Sequence, residues 1–367
     1  MKENFSKLQI FAEAGDLINA TTGYVNAHTG VVTPFTDSKT LAPELKAYYD
    51  TVLLDNARTE LVYAQFAKRQ PLPKNHKGQV EWRKWNVFAP AGQLQEGVIP
   101  EPQKFGVSYL TGSINQYGTY TAITDILELR AFDDVILGAT EEMGASAAET
   151  QEKLIRDALL VGTNVLYCDN INPETGAKAS GSGVVVTPTS CAQMEASASA
   201  MSLLTPAMVN KAVTIMKKNK VPRINGKYVA VVHPSVAHDL RECDGWIEWH
   251  KYAAPEEAFH GEIGELHGVR FIEDTFAPVL DGNDYKNKAN GVTYASYFFG
   301  KDSFGIIDPE GGALEMIIHD KGEIGGPLNQ FSTIGYKFET NGATILYPER
   351  LLRVMSCTSF SAEDEAN

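Results

Sequence analysis

Cysteine is scarce in this chain, and the few present follow no pattern. Cys168, Cys191, Cys243 and Cys357 are the only four among 367 residues, widely spaced and without a CxxC pair. That excludes a disulfide framework and a zinc ribbon, and predicts reduced thiols. Long apolar runs are missing as well. No stretch approaches the roughly 18 consecutive apolar residues of a membrane helix, and the opening MKENFSKLQIFAEAG lacks the apolar centre of a signal peptide. No membrane partner is expected. Positive charge is also in deficit: 32 Lys and Arg against 46 Asp and Glu leave a net charge of −14. A dedicated nucleic-acid binder carries a basic face. Here the longest basic cluster is KKNK, Lys217–Lys220, at the end of a predicted helix, where cations complement the negative helix terminus. Tight, specific DNA binding is therefore not expected.

The common catalytic signatures are absent. There is no GxxxxGK[ST], no GxGxxG opening a helix, no GxSxG and no HExxH. SGSG, Ser180–Gly183, has no strand before it and no helix after it, and reads as a loop. His233 and His238 flank a predicted strand–helix turn without a third ligand at a workable spacing, which points to capping or surface roles. His250, Glu256, Glu257 and His260 cluster in WHKYAAPEEAFHG. Glu256 and His260 stand four apart and would share a helix face, as in a metal or acid–base site, or simply on a solvated helix. Asp133–Asp134 and Glu141–Glu142 read as a wet helix face. No catalytic residue, metal or cofactor is assigned.

What is present is ordinary globular material, 43% hydrophobic and 21% charged, with 31 glycines and 15 tyrosines that lean towards strands and turns. Its length allows about two to three domains. Residues 1–40 read as an extended arm. A helix is predicted from Pro43 to about Lys68, with Leu45, Tyr48, Tyr49, Val52 and Leu53 at helical spacing. From Pro71 to Thr121 helical periodicity disappears. VEWRKWNVF and VSYLTGSINQYGTYTAI alternate, and a Pro/Gly-rich stretch separates them, which predicts a long β-hairpin. Fifty residues with so little core must lie on something, and another subunit is the preferred surface. The exposed aromatics Trp82, Trp85, Phe88 and Tyr109 are the candidate interface.

A long helix is predicted over 125–162, about 55 Å at 1.5 Å per residue. Asp125 would cap it with Glu128, and Ile126, Leu129, Phe132 and Ile136 would form its apolar face. Residues 169–200 are low in complexity. Thr205 and Pro206 open a marked helix with the stripe Val209, Ala212, Val213, Met216. GKYVAVVHP reads as a buried strand, SVAHDLRE as a short helix, GVRFIEDT as a strand, YASYFFGKDSFGIID as a hairpin around Lys301–Ser303, and LEMIIHD as a strand. Further strands follow to Ser356, broken at Asn341–Gly342, before an acidic tail expected to be disordered. GEIGELHGVRFIED, Gly261–Asp274, is no phosphate cradle, because Glu262 and Glu265 would repel a phosphate. Gly261, Gly264 and Gly268 read instead as backbone-turn glycines with φ > 0.

Taken in order, these segments resemble the major capsid protein of tailed bacteriophages with the Hong Kong 97-type fold, and its phage N4-like branch in particular. KYVAVVHPSVAHDLRE (227–242), GEIGELHGVRFIED (261–274) and GPLNQFSTIGYKFETNGATILYPERLLRVMS (326–356) carry the likeness. The resemblance implies an α+β fold divided as N-terminal arm and helix (1–75), extended β-hairpin loop (76–122), spine helix and first part of a peripheral domain (123–204), axial domain (205–320), second part of the peripheral domain (321–357) and a disordered acidic tail (358–367). It implies a non-enzymatic shell subunit of the virion, assembled in the host cytoplasm into hexamers and pentamers. Its partners would be a separate scaffolding protein, a portal, a decoration protein in some relatives, and packaged DNA through loose, non-specific contact. An encapsulin-type compartment shell shares the fold and is the alternative, with a metal enzyme built on the His250–His260 cluster behind it.

Overall fold

The computed structural model describes residues 24–25, 32–33, 61–73, 79–85, 88–93, 102–104, 106–130, 135–173, 175–179, 184–243, 262–309, 314–319, 330–360 and 364–367. In chain order the strands are β1 (Tyr24–Val25), β2 (Val32–Thr33), β3 (Lys68–Leu72), β4 (Gln79–Trp85), β5 (Val107–Ser113), β6 (Asn115–Thr124), β7 (Val165–Tyr167), β8 (Ala196–Ser197), β9 (Ala200–Met201), β10 (Tyr228–Val232), β11 (Glu262–Leu266), β12 (Val269–Glu273), β13 (Val279–Leu280), β14 (Thr293–Phe299), β15 (Phe304–Pro309), β16 (Glu315–His319), β17 (Phe331–Thr340), β18 (Thr344–Ile345) and β19 (Leu351–Ser356). The α-helices are α1 (Asp125–Arg130), α2 (Val135–Leu160), α3 (Pro206–Lys218) and α4 (Pro234–Glu242).

A central sheet runs β11-β12-β10-β14-β19-β7, with β13 added to β14. Its inner strands β10, β14 and β19 are buried at every position, as expected where helices cover both faces and no residue can face water. Successive side chains point to opposite faces. Ala230, Val232, Phe298 and Val354 therefore meet Met208, Val209, Ala212 and Val213 of α3 and Val236, Ala237 and Leu240 of α4. Val229, Val231, Tyr297 and Phe299 meet Ile155 and Leu159 of α2 together with Tyr63, Phe304 and Ile306. α3 begins as its sequence predicts: Thr205 accepts a hydrogen bond from Met208 N, and Pro206 sits at the first helical position.

A second sheet, β16-β17-β6, lies under the first half of α2. β6 and β17 pair over ten residues each, from Phe331↔Thr124 to Thr340↔Asn115. Ile123, Met316, Ile334, Tyr336 and Phe338 pack here against Ala139, Met143 and Ala147 of α2, and Ser146 Oγ lies 3.1 Å from the Tyr336 hydroxyl. The backbones approach closely at Gly335, where a Cβ would fall 2.7 Å from Tyr120 Cβ and 2.8 Å from Thr119 O. A third sheet, β18-β15-β3, carries the β4–β5 hairpin.

Several expectations change. Of the helix predicted from Pro43 to about Lys68, residues 43–60 lie outside the described residues; its last part is a 3-10 turn at Tyr63–Gln65, followed by β3, which pairs in parallel with β15. The cause is tertiary: Tyr63 is fully buried beside Tyr297, and Glu152 of α2 accepts a hydrogen bond from Tyr63 N at 3.2 Å. The spine is described as α1 and α2. Thr124 Oγ1 accepts from Leu127 N, and Asp125 Oδ1 accepts from the neighbouring Ile126 N. Ile126 is 47% exposed, because Leu127, Ile136, Ala139 and Met143 form the stripe that meets the sheet.

β14 and β15 form no hairpin. β14 pairs with β10, β13 and β19, and β15 with β3 and β18. Both strands are apolar, and they meet through side chains, the Phe299 and Phe304 rings edge to face at 5.8 Å, rather than through backbone pairing. The long alternating run after the hairpin loop also splits, at Ile114, into β5 and β6, which join different sheets. Finally, the tail is ordered at 364–367. Asp364 Oδ2 accepts from Ser235 Oγ at 2.8 Å and from the Tyr294 hydroxyl at 2.6 Å. Asn367 bonds to Arg156, Val279 and Ala277.

Two substitutions test this packing by urea denaturation of the full chain. Gly335→Ala is expected to destabilise by about 1–3 kcal/mol through overpacking at the β6–β17 approach. Thr205→Ala is expected to cost about 1 kcal/mol through the lost cap.

Candidate assembly interface

The β4–β5 hairpin has a body face and an outward face, set by its register. Val80↔Gly112, Trp82↔Leu110 and Lys84↔Ser108 share one face; Glu81↔Thr111, Arg83↔Tyr109 and Trp85↔Val107 share the other. The body face is closed. Val80 and Trp82 pack with Leu72, Ile307 and Leu346. The Trp82 ring sits between two glycines, for a Cβ on Gly112 would lie 2.7 Å from it and a Cβ on Gly305 3.2 Å. At 6% exposure Trp82 is not available to a neighbouring chain. It anchors the hairpin to its own subunit, which corrects its assignment to the interface. The slip in alternation between Trp82 and Trp85 put the two tryptophans on opposite faces.

Polar groups fix the same root. Lys84 Nζ lies 3.4 Å from Glu349 Oε1 and 4.6 Å from the Tyr347 ring centroid, while Arg350 stacks on that ring at 3.8 Å. These partners lie some 265 residues downstream of Lys84, a pairing that sequence spacing alone cannot reveal. Further out, the Gln103 side-chain amide stands in for a strand: it accepts from Ala89 N at 3.0 Å and donates to Ala89 O at 3.1 Å.

The outward face carries Trp85 and Tyr109, 50% and 58% exposed, and Phe88, beyond the end of β4, is 53% exposed; the Arg83 guanidinium lies 6.0 Å from the Tyr109 ring centroid. Aromatics and arginine held on a rigid ribbon are the residue types that fill interface centres.

The turn glycines divide. Gly268, with φ 80°, forms with His267, φ 53°, the two-residue turn between β11 and β12. Gly264, φ 133°, sits within β11 at a register shift rather than in a turn. Gly261 lies outside the described residues.

No reactive constellation forms among the described residues. No group of three or more His, Cys, Asp or Glu there could hold a metal ion. His250, Glu256, Glu257 and His260, like Ser180–Gly183, lie outside the described residues. His233 caps α4, its Nδ1 accepting from Ser235 N at 3.2 Å, and burial lowers its pKa against the pull of Asp364. Ser235 donates to Asp364 and not to His233, so the Ser–His–Asp proximity lacks the wiring of a nucleophile and its base. None of the four cysteines is in a disulfide. Burial raises the pKa of the Cys168 thiol and pushes that of Cys357 up to about 12, which makes both poor nucleophiles.

Solved capsid structures share this architecture. The capsid of Ralstonia phage GP4 aligns at a TM-score of 0.59 with 13% identity, over 84% of this chain and 93% of that one. The cyanophage Pam1 capsid aligns at 0.59 with 14% identity, over 94% and 100%. The head of Helicobacter pylori bacteriophage KHP40 aligns at 0.58 with 10% identity, over 92% and 99%. At such identities the likeness establishes the fold, which is of the Hong Kong 97 type. No curated protein matches the chain. The family model described as phage capsid protein matches residues 109–336, more than half of the sequence. The chain therefore belongs to the phage capsid protein family, as a subunit of the shell.

Proposed function

We propose that this major capsid protein tiles as hexamers and pentamers around double-stranded phage DNA, and that the outward face of the β4–β5 hairpin seats on a neighbouring copy. One observation carries the reading: Trp85 and Tyr109 are exposed on a ribbon whose other face is held to its own body through Trp82 and Lys84, and Phe88 is exposed just beyond it. An exposed aromatic face is unfavourable in an isolated subunit and favourable once covered. The family match favours a phage shell over an encapsulin-type compartment.

The division into arm (1–75), extended loop (76–122), spine and first peripheral part (123–204), axial domain (205–320) and second peripheral part (321–357) belongs to this proposal. So does membership of the phage N4-like branch, which rests on the three stretches at 227–242, 261–274 and 326–356. The subunit has no catalytic task in this reading. A separate scaffolding protein and a portal complete assembly in the host cytoplasm, and a decoration protein is a further partner class. The net charge of −14 suits a wall that holds DNA loosely and lets it move as it is packed.

The two faces of the hairpin make opposite predictions. Trp82→Ala should destabilise the subunit by about 3–5 kcal/mol, because a large buried side chain is lost. Trp85→Ala with Tyr109→Ala should change subunit stability by no more than about 0.5 kcal/mol and yet sharply reduce the yield of shells seen by electron microscopy. Equal stability losses from both faces would refute the division. Deleting roughly residues 90–104 should leave a folded subunit that assembles poorly or into distorted particles. Normal shells from that deletion would place the intersubunit contact elsewhere.

A further inference from the structure

Where α2 passes from one sheet to the next it buries a carboxylic acid that no assembly role requires. Glu152 is 0% exposed, as is Tyr63, and Asp274 is 6% exposed. Glu152 Oε2 accepts from Tyr63 N at 3.2 Å at the start of the 3-10 turn. The second oxygen, Oε1, has no partner. The Tyr63 hydroxyl and the Asp274 carboxyl interact with each other beside it, so Glu152 Oε1 is the buried oxygen of this group left without a hydrogen bond.

The surrounding charges are already committed. Arg156, one turn further along α2, donates to Phe276 O at 3.3 Å, Asn367 Oδ1 at 2.9 Å and Asp157 Oδ1 at 2.9 Å. Lys153 pairs with Glu149. From β14 the Tyr297 hydroxyl donates to Arg156 O, and from β19 Arg353 donates to Leu160 O. The turn segment 61–67 brings only Tyr63 as a titrating group. An ionised Glu152 would thus be a buried charge without a dedicated counter-ion and with Asp274 as a like-charged neighbour, and such a group takes up a proton instead.

We infer that Glu152 is a proton-operated latch: protonated, it holds the turn at Tyr63–Gln65, and through β3 the root of the hairpin, against α2; ionised, it releases that contact. Protonation removes one of two buried like charges and turns the unpartnered Oε1 into an O–H donor beside the Tyr63 and Asp274 oxygens, while Oε2 keeps the Tyr63 N–H. The electrostatics agree. Burial, assisted by the Asp274 charge and opposed by the N–H groups of residues 62–64, pushes Glu152 from an ordinary 4.5 up to about 8. Burial also raises the pKa of Asp274, against the Phe276 N–H, the Tyr63 hydroxyl and the Arg156 charge.

The sign follows from linkage. A folded-state pKa raised above the unfolded value means that folding takes up a proton. The stabilisation is complete below about pH 4.5 and is lost as pH rises through about 8. Urea unfolding of the full chain between about pH 5 and 8 should show a component that shifts the equilibrium about tenfold per pH unit towards the unfolded state. Glu152→Gln, neutral throughout, should lose that component. Asp274→Asn should lower the pH at which it ends. In wild-type protein, the Tyr63 amide should lose hydrogen-exchange protection over the same window, beyond the intrinsic base catalysis of exchange. A Glu152→Gln variant with the wild-type pH slope would overturn the latch. Should that variant fail to fold, Tyr63 protection that stays constant with pH in the wild type would overturn it equally.

Discussion

One helix bears two cores. α2 lays Ala139, Met143 and Ala147 on the β16-β17-β6 sheet, then Ile155 and Leu159 on the far face of the central sheet. A helix of 26 residues is needed because the two contacts follow one another along its length. With one end in each core, the two sheets cannot shift without breaking apolar contact at one end or the other. The junction between the contacts is where polar residues become buried: Glu152 and Arg156 sit in the stretch that leaves one sheet and meets the other. Arg156 uses its position to gather Phe276, Asp157 and Asn367, and so draws the chain end onto the helix.

From this rigid centre the hairpin extends on a narrow root. Trp82, the Lys84–Glu349 contact and the Tyr347–Arg350 stack hold its base. The backbone therefore leaves the body in a fixed direction while Trp85 and Tyr109 on its other side stay about half exposed. A shell subunit needs this combination, because a contact made at the end of an arm is specific only if the arm's base is stiff.

Much of this was legible in the sequence, and the failures have physical causes. α3 was readable because Thr205, Pro206 and the apolar stripe state the same thing independently. β10 was readable because five apolar residues end at a proline. The hairpin was readable through its alternation. The β14–β15 turn misled because an all-apolar strand does not reveal which sheet it joins. The end of the helix near Lys68 misled because Glu152, nearly ninety residues away, recruits Tyr63 N. Trp82 and Trp85 look equivalent by composition, and only pairing with β5 separates anchor from surface. The tail looked disordered because it is acidic and short, yet Asp364 finds two hydroxyl donors on the central body.

The central claim is that the hairpin's two faces serve two different chains. A side-chain-resolution electron cryomicroscopy map of the assembled shell tests it most directly. The account predicts Trp82 seated between Gly112 and Gly305 of its own subunit, with Trp85 and Tyr109 covered by a neighbouring one. A map in which Trp85 and Tyr109 face solvent, or Trp82 packs into another subunit, would contradict it.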